Sequence, residues 1–305
     1  MNWKGVMPAI TTSFNEKYEV DHSFMNTHVR WLLANGCTGI VGLGSLGEGA
    51  TLTNTEKAAI LHTLVSAAGN SGEIVAAISA LSTDEALALG NTAKSAGCNG
   101  LMILPPYVYK GDWREMKTHV AAVLRSTDLP CMLYNNPVAY GTDFTPEQIA
   151  ELADEHPNLQ AVKESSTDVR RVTAIRALLG NRVAVFVGVD DAILEGIAAG
   201  AVGWVAGLAD ALPRESADLF NYGVQGKIKE AFELYRWFLP LLRMDTVPKF
   251  VQLIKLVQQE LGVGCARVRG PRLELMGEEL EAAKNTIREA LQSRPERASS
   301  ALARG

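Results

Sequence analysis

The sequence has few cysteines, and no two of them lie close together. Its 305 residues contain four, Cys37, Cys98, Cys131 and Cys265, and none forms a Cys-x-x-Cys pair. Widely spaced cysteines in a long chain argue against a disulfide framework and against a zinc site built from such pairs. We therefore expect four free thiols and a reducing, cytoplasmic location.

The chain also lacks a basic run and a long apolar segment, and no secretion signal is expected. Its net charge is −5 and no lysine- or arginine-rich stretch precedes the tail, so nucleic acid is not an expected partner. No apolar stretch reaches the length of a membrane span, and the amino terminus has no apolar core of a signal peptide. The composition, 47% hydrophobic and 21% charged, is that of a soluble globular protein without a membrane partner.

Short apolar runs alternate with amphipathic segments through the first two-thirds of the chain. The runs are typical of strands buried on both faces, and each is followed by a segment with helical periodicity. The predicted strands are 5–11, 39–43, 74–79, 100–104, 130–134, 160–163, 183–187 and 202–205. Thr53, Thr83 and Thr145 are the predicted N-caps of three of the helices.

Eight strand–helix units in this order predict an α/β fold, a (β/α)8 or TIM barrel. A doubly wound open sheet is the alternative, but residues 8–13, after the first strand, contain no Gly-x-Gly-x-x-Gly loop. Only helices are predicted after the eighth strand. We expect a barrel over residues 1–224, a C-terminal three-helix appendage over residues 225–292 and a disordered tail over residues 293–305.

Barrel enzymes carry their chemistry where the strands end, so the residues at those ends are the candidates. None of the five histidines falls there, which argues against a metal-dependent aldolase and against a Ser-His-Asp triad. No glycine-rich phosphate loop follows the last two strands, and Asp190 with Asp191 would repel a phosphate. What remains is an amine, a phenol, a hydroxyl between glycines and a pair of carboxylates.

Lys163 ends a short buried strand, and the chain turns polar directly after it. A charged amine is costly to bury, so the expected response is a lowered pKa, which makes the amine a nucleophile. Tyr134 ends the preceding strand and can carry a proton if its oxygen is hydrogen-bonded, for which Ser45 is the natural candidate. The sequence therefore predicts Lys163, Tyr134 and Ser45 as catalytic residues.

The glycines around Ser45 leave backbone N–H groups free to point at an anion, and a small carboxylate suits such a nest. An amine beside it suits a 2-oxo acid or a cyclic 2-imino acid, whose C2 Lys163 would attack to form a Schiff base. No cofactor and no metal are expected. The predicted substrate-binding residues are Gly44, Leu46, Gly47, Thr11, Gly188, Asp190, Val205 and Gly207.

The order of these residues resembles the dihydrodipicolinate synthase / N-acetylneuraminate lyase family. The motifs that carry the resemblance are Gly44-Ser45-x-Gly47-Glu48, Tyr134-Asn135-x-Pro137, Lys163-Glu164-Ser165-Ser166 and Gly188-x-Asp190, and it covers roughly residues 3–290. The resemblance implies a class I, lysine Schiff-base enzyme with Tyr134 as proton relay. It also implies a carboxylate held by Ser45 and the Leu46 amide, and a homotetramer built as a dimer of dimers.

Three departures from the synthase pattern point to another substrate. The chain has Ser45-Leu46 where the synthase has two threonines, and Tyr107-Val108 where it has two tyrosines. It has Val138-Ala139-Tyr140 where the synthase has an arginine that receives a second carboxylate. An alanine cannot replace an arginine in that bidentate role.

Other motifs are closer to the pyrroline-4-hydroxy-2-carboxylate deaminases of the same family. They are Tyr140-Gly141, Gly203-Trp204-Val205-Ala206-Gly207, and Tyr235-Arg236-Trp237-Phe238 leading to Asp245. Such enzymes open a cyclic imine and release ammonia, and we expect this reaction on 1-pyrroline-4-hydroxy-2-carboxylate. The alternatives are a pyruvate-dependent aldolase, such as 4-hydroxy-tetrahydrodipicolinate synthase or a lyase of 2-keto-3-deoxy sugar acids or N-acetylneuraminate, and a barrel that binds a 2-oxo acid without catalysis.

Overall fold

The computed structural model describes residues 1–106 and 109–295. Eight parallel strands follow one another in the order β1-β8-β7-β6-β5-β4-β3-β2. They are β1 (Gly5–Pro8), β2 (Gly39–Gly42), β3 (Glu73–Ile78), β4 (Gly100–Ile103), β5 (Cys131–Asn135), β6 (Leu159–Glu164), β7 (Ala184–Val187) and β8 (Gly203–Ala206). All eight predicted strands are confirmed, although the first ends at Pro8 rather than at residue 11.

Contacts between the first two strands close the ring. Ala9 forms a parallel bridge with Val41, and the Ile10 amide donates to the Val41 carbonyl at 3.0 Å. On its other side β1 pairs with β8 in register. The predicted (β/α)8 barrel is confirmed, and the open sheet is excluded.

One helix follows each strand except β5, which is followed by two, and three more helices follow the barrel. They are α1 (His22–Ala34), α2 (Asn54–Ala68), α3 (Thr83–Ala96), α4 (Trp113–Arg125), α5 (Pro137–Tyr140), α6 (Pro146–Glu155), α7 (Arg170–Leu179), α8 (Ile193–Ala198), α9 (Pro213–Val224), α10 (Ile228–Leu242), α11 (Phe250–Glu260) and α12 (Gly277–Gln292). Thr53 and Thr145 accept hydrogen bonds from amides of the first helical turn, which confirms both predicted N-caps. The cap of α3 is Ser82 rather than Thr83, because the helix starts one residue earlier than expected.

The three helices α10, α11 and α12 make up the appendage beyond the barrel. One apolar cluster contains Trp204 of β8 together with Phe238 of α10 and Val257 of α11. The appendage therefore shares its core with the barrel and packs as part of the same unit. In the described ranges, no helix has the length and apolar character needed to cross a membrane.

The end of the described chain has defined contacts where a disordered tail is predicted from residue 293. Arg294 donates from Nε to Glu215 on α9 at 3.0 Å, and Ser293 caps α12. Residues 296–305 of the predicted tail lie outside the described residues. All four cysteines are free thiols, as expected.

A buried ion pair joins the appendage to the loop after β2. Lys255 on α11 is 1% exposed, and its Nζ lies 2.6 Å from Glu48 Oε1 and 2.6 Å from the Arg267 carbonyl oxygen. The other oxygen of Glu48 accepts from the Arg269 amide at 2.9 Å. Glu48 has a φ of 54°, a left-handed conformation that is unfavourable outside glycine. These bonds hold the loop that carries Ser45.

We expect the substitution Lys255→Met to destabilise the fold, because it leaves the Glu48 carboxylate buried without its counter-ion. Removing one partner of a buried pair costs about 3–5 kcal/mol. The measurement is the thermal unfolding midpoint. Lys229, exposed on α10, is the control, since surface substitutions usually change stability by less than about 0.5 kcal/mol. Equal midpoints for Lys255→Met and Lys229→Met would contradict a stabilising role of the pair.

Candidate active site

Tyr134 and Lys163 lie side by side at the carboxyl ends of β5 and β6. The two residues are register partners in the parallel pairing of these strands. The amino nitrogen of Lys163 lies 4.2 Å from the centroid of the Tyr134 ring. Lys163 is 7% exposed and Tyr134 is 6% exposed, so both side chains lie in the mouth of the barrel. The structure thus brings together two of the three predicted catalytic residues.

Burial lowers the pKa of the Lys163 amino group, as predicted, while the charges of Asp245, Tyr140 and Asp190 oppose this shift. Within the described part of the chain the amino group of Lys163 forms neither a hydrogen bond nor an ion pair. Among these residues the amine therefore has no direct counter-ion. A neutral amine in such a place is a nucleophile for a carbonyl or imine carbon.

Burial raises the pKa of the Tyr134 phenol to about 12, so the group stays protonated near neutral pH. Its oxygen accepts a hydrogen bond from Asn136 Nδ2 at 3.0 Å. The expected direct link from Ser45 to this oxygen is not found among the described residues, because Ser45 is hydrogen-bonded to the Tyr140 hydroxyl. The rings of Tyr134 and Tyr140 meet edge to face with their centroids 5.8 Å apart. Tyr140 therefore contacts both Ser45 and Tyr134.

Tyr140 is a site residue that the strand-end pattern does not reveal. It ends α5, the short helix in which Asn136 is the N-cap and Pro137 takes the first position. Asn136 accepts from the Ala139 amide at 3.0 Å while its amide group donates to Tyr134. The signal in the sequence is this cap, Asn136-Pro137, which places Tyr140 one helical turn beyond the strand end.

Two of the three departures from the synthase pattern can be located. Ser45 pairs with Tyr140, and Leu46 is 3% exposed in the loop after β2. Ala139 lies on α5 and has no group that binds a carboxylate. The third departure, Tyr107-Val108, lies outside the described residues.

The loop after β2 has the free N–H groups that an anion site needs. The amides of Ser45, Leu46 and Gly47 donate no hydrogen bond to any other described residue. A Cβ on Gly47 would lie 2.8 Å from the Ile10 carbonyl oxygen, so only glycine fits this turn without displacement. Gly44 is buried at the start of the loop. This arrangement is consistent with the predicted carboxylate nest.

Gly188 follows β7 and lies against the stem of Lys163. A Cβ at this position would lie 2.6 Å from Lys163 Cε and 2.0 Å from Ser165 Oγ. The Gly188 amide donates to the Glu164 carbonyl at 2.9 Å, which fixes the backbone there. A glycine is therefore needed to leave room for the amine-bearing side chain.

Asp190 ties the end of β7 to the end of β8. Its carboxylate accepts from Trp204 Nε1 at 2.9 Å, from the Gly207 amide at 3.1 Å and from the Leu208 amide at 2.9 Å. The side chain is fully buried, and burial raises its pKa to about 6. These bonds give Asp190 a structural role and leave substrate binding by Asp190 as a prediction.

Two other predicted substrate-binding residues are engaged in the fold. The Thr11 hydroxyl donates to Gln258 Oε1 on α11 at 2.9 Å and so joins the barrel to the appendage. Val205 is 1% exposed within β8. Substrate binding by Thr11 and Val205 stays a prediction.

Asp245 is a second site residue that strand ends do not reveal, because the appendage supplies it. It ends a single turn of 3₁₀ helix, Arg243–Asp245, after α10. A Cβ on Gly207 would lie 2.1 Å from Asp245 Oδ1, so the bare backbone of Gly207 makes room for this carboxyl group. Burial, and then the charge of Asp190, raise the pKa of Asp245 well above its usual value. In the two described ranges, no group of three or more His, Cys, Asp or Glu side chains is arranged to hold a metal ion.

Known proteins are similar to this chain in both sequence and fold. A 4-hydroxy-tetrahydrodipicolinate synthase from Methanocaldococcus jannaschii is 28% identical over 287 residues, covering 94% of this chain and 98% of the relative. One from Methanothrix thermoacetophila is 31% identical over 281 residues, covering 92% and 94%. The crystal structure of a dihydrodipicolinate synthase from Bacillus anthracis has a TM-score of 0.91 at 27% identity, covering 97% of this chain and all of that one (100%).

A model of the dihydrodipicolinate synthetase family matches residues 2–290, nearly the whole of the described chain. The matched region includes the lysine and tyrosine at the strand ends, the glycine loop after β2 and the helices of the appendage. The chain is an enzyme and belongs to the dihydrodipicolinate synthetase family.

Proposed function

We propose that the protein forms a Schiff base between Lys163 and C2 of a 2-oxo acid or a cyclic 2-imino acid. The observation that carries the proposal is the buried Lys163 amine, without an ion-pair partner in the described residues, 4.2 Å from the Tyr134 ring centroid. Schiff-base catalysis needs a neutral amine and a proton carrier beside it. The free amides at Ser45, Leu46 and Gly47 supply a site for the substrate carboxylate.

In this proposal Tyr134 handles the proton of imine formation. Lys163 adds to C2, and the group that leaves C2, water or a ring nitrogen, takes the Tyr134 proton. The raised pKa of Tyr134 keeps that proton on the phenol until the leaving group needs it. The iminium then withdraws electrons from C3, so a proton on C3 becomes acidic.

Within this chemistry we favour deamination of 1-pyrroline-4-hydroxy-2-carboxylate. Two further carboxyl groups, Asp190 and Asp191, contribute to the pKa shifts of Lys163 or Asp245. Among the described groups that shift the pKa of Lys163, Tyr134 or Asp245 there is no arginine. A second carboxylate on the substrate would find no positive charge here to bind it, whereas a ring hydroxyl group could form a hydrogen bond with a carboxyl group. The reaction adds one water to the cyclic imine and gives ammonia and 2,5-dioxopentanoate.

4-Hydroxy-tetrahydrodipicolinate synthase activity is the second candidate, and the names of the similar proteins favour it. It would use the same imine, formed with pyruvate, and condense it with aspartate semialdehyde. The two candidates differ only after C2 has been captured. A homotetramer and a cytoplasmic location remain predictions for either.

A substrate panel with reductive trapping tests the proposal. We expect borohydride to add the mass of the bound acid at Lys163 and the Lys163→Ala variant to lose turnover, with exposed Lys94→Ala as the control. Ammonia release from hydroxypyrroline carboxylate supports deamination, and pyruvate consumption that depends on aspartate semialdehyde supports the synthase. N-acetylneuraminate and 2-keto-3-deoxy sugar acids complete the panel. A mass increase on a different residue, or on none during turnover, would falsify the Schiff-base proposal.

We expect Gly188→Ala to slow imine formation, because the new methyl group overlaps Lys163 Cε. A displacement of about 1 Å in a reacting group can lower the rate about 100-fold. The measurement is the rate of borohydride-trapped adduct formation with pyruvate.

Gly90→Ala on α3 is the matched control for this substitution, because its Cβ would meet only Leu101 Cδ1, at an ordinary 3.7 Å. That variant should trap pyruvate at the wild-type rate. A Gly188→Ala enzyme that did the same would show that the Lys163 stem has room to move.

A further inference from the structure

We propose that Asp245 is the general acid that expels a hydroxyl group from C4 of the substrate while Lys163 holds C2 as an iminium. The inference rests on the proposed Schiff-base function and deepens it. It narrows the substrates to 2-oxo or 2-imino acids with a hydrogen on C3 and a hydroxyl group on C4. The step is an elimination of water, not a cleavage of the C3–C4 bond.

The appendage fixes Asp245 over the end of β8. Arg243, two residues earlier, lies 3.5 Å from Asp191 Oδ2, and Met244 between them is 7% exposed. On the barrel side, Gly207 offers bare backbone against the Asp245 carboxyl group. Both sides of the contact are thus anchored, and the carboxyl group is presented at the strand end next to the Lys163 site.

Among the residues that the structure describes, none is paired with the oxygen atoms of the Asp245 carboxyl group. Neither a hydrogen bond nor an ion pair joins it to another residue in the described ranges. Asp190, its neighbour, accepts three hydrogen bonds from the end of β8. A carboxyl group taken partly out of water without a donor destabilises the fold, and such groups concentrate at functional sites. The carboxyl oxygen atoms of Asp245 are therefore available for hydrogen bonds to a bound substrate.

The surroundings of Asp245 favour its protonated form. Burial and the charges of Asp190 and Asp191 raise its pKa, and Lys163 acts in the opposite direction. This opposing effect is absent while Lys163 is a neutral amine, and the charge of the iminium that it then forms is matched by the charge of the Tyr134 phenolate that forms with it. A raised pKa lets a carboxyl group keep its proton to higher pH and donate it in a transition state, which is the requirement for a general acid.

The elimination is balanced without any further reagent. Tyr134 loses its proton when the imine forms, so the phenolate can take the proton from C3. The C3–H electron pair becomes the C3–C4 double bond, the C4–O bond breaks, and Asp245 gives its proton to the departing oxygen. Water leaves, Tyr134 is again a phenol, and Asp245 is left as a carboxylate that solvent protonates.

A protonated carboxyl group at C4 also distinguishes this step from an aldol cleavage. Breaking the C3–C4 bond requires the C4 hydroxyl to lose its proton, so a base must face it. An acid at the same place stabilises the departing hydroxyl instead. The protonation state of the residue facing C4 therefore decides which bond breaks.

The test is Asp245→Asn, which keeps the shape of the side chain and removes the transferable proton. With 1-pyrroline-4-hydroxy-2-carboxylate, we expect kcat for ammonia release to fall about 10²- to 10⁴-fold, the usual range for loss of a general acid. Borohydride trapping of pyruvate at Lys163 should stay within about threefold of wild type, since that step does not use the acid. Asp245→Glu should restore part of kcat, and wild-type kcat should fall as pH rises through the pKa of the acid.

Glu233→Gln, on the exposed face of α10, is the control and should match wild type in both assays. Wild-type kcat in Asp245→Asn, with trapping intact, would overturn the role of Asp245 and leave the Schiff-base function standing. Equal losses of trapping and of ammonia release would assign Asp245 to placing Lys163 and would also overturn the acid role. Absence of trapping in the wild-type enzyme would instead refute the proposed function itself.

Discussion

The amino group of Lys163 is buried without a direct counter-ion among the described residues, and the mouth of the barrel is organised around this condition. Lys255 shows the other outcome for a buried lysine, since its Nζ lies 2.6 Å from Glu48 and keeps a hydrogen-bonded partner. Burial is the first cause that lowers the pKa of both residues, but only Lys255 has an ion pair to restore its charge. One lysine therefore stabilises the fold, while the other is a destabilising group that is free to react.

The geometry of the site depends on parts of the chain that are far apart in sequence. The parallel pairing of β5 with β6 places Tyr134 beside Lys163. The loop after β2 keeps its unfavourable backbone through the Glu48 ion pair with the appendage. Asp245 reaches the end of β8 from the same appendage. The C-terminal helices therefore shape the mouth of the barrel and also supply a carboxyl group to it.

The sequence predicts what regular structure dictates and fails where a loop or helix leaves that pattern. Alternation of apolar runs predicts the eight strands, and strand ends then predict the neighbourhood of Lys163 and Tyr134. Tyr140 and Asp245 reach the site from a one-turn helix and from the appendage, where no strand-end rule applies. The N-cap of α3 is Ser82 rather than the predicted Thr83 for a simpler reason. Two adjacent hydroxyl residues are equally good cap candidates in the sequence, and only the backbone conformation shows which of them precedes the helix.

Capture of C2 and selection of the next step are separate problems, and different residues of this site address them. Lys163, Tyr134 and the loop amides need only a carboxylate next to an electrophilic carbon, so they accept many 2-oxo and 2-imino acids. Beyond C2 the substrate meets Tyr140, which is bonded to Ser45, and the carboxyl group of Asp245. A phenol and an unpartnered acid can hydrogen-bond to hydroxyl groups, but they have no positive charge for a second carboxylate. Change at these two positions can thus redirect the reaction while the lysine chemistry stays the same.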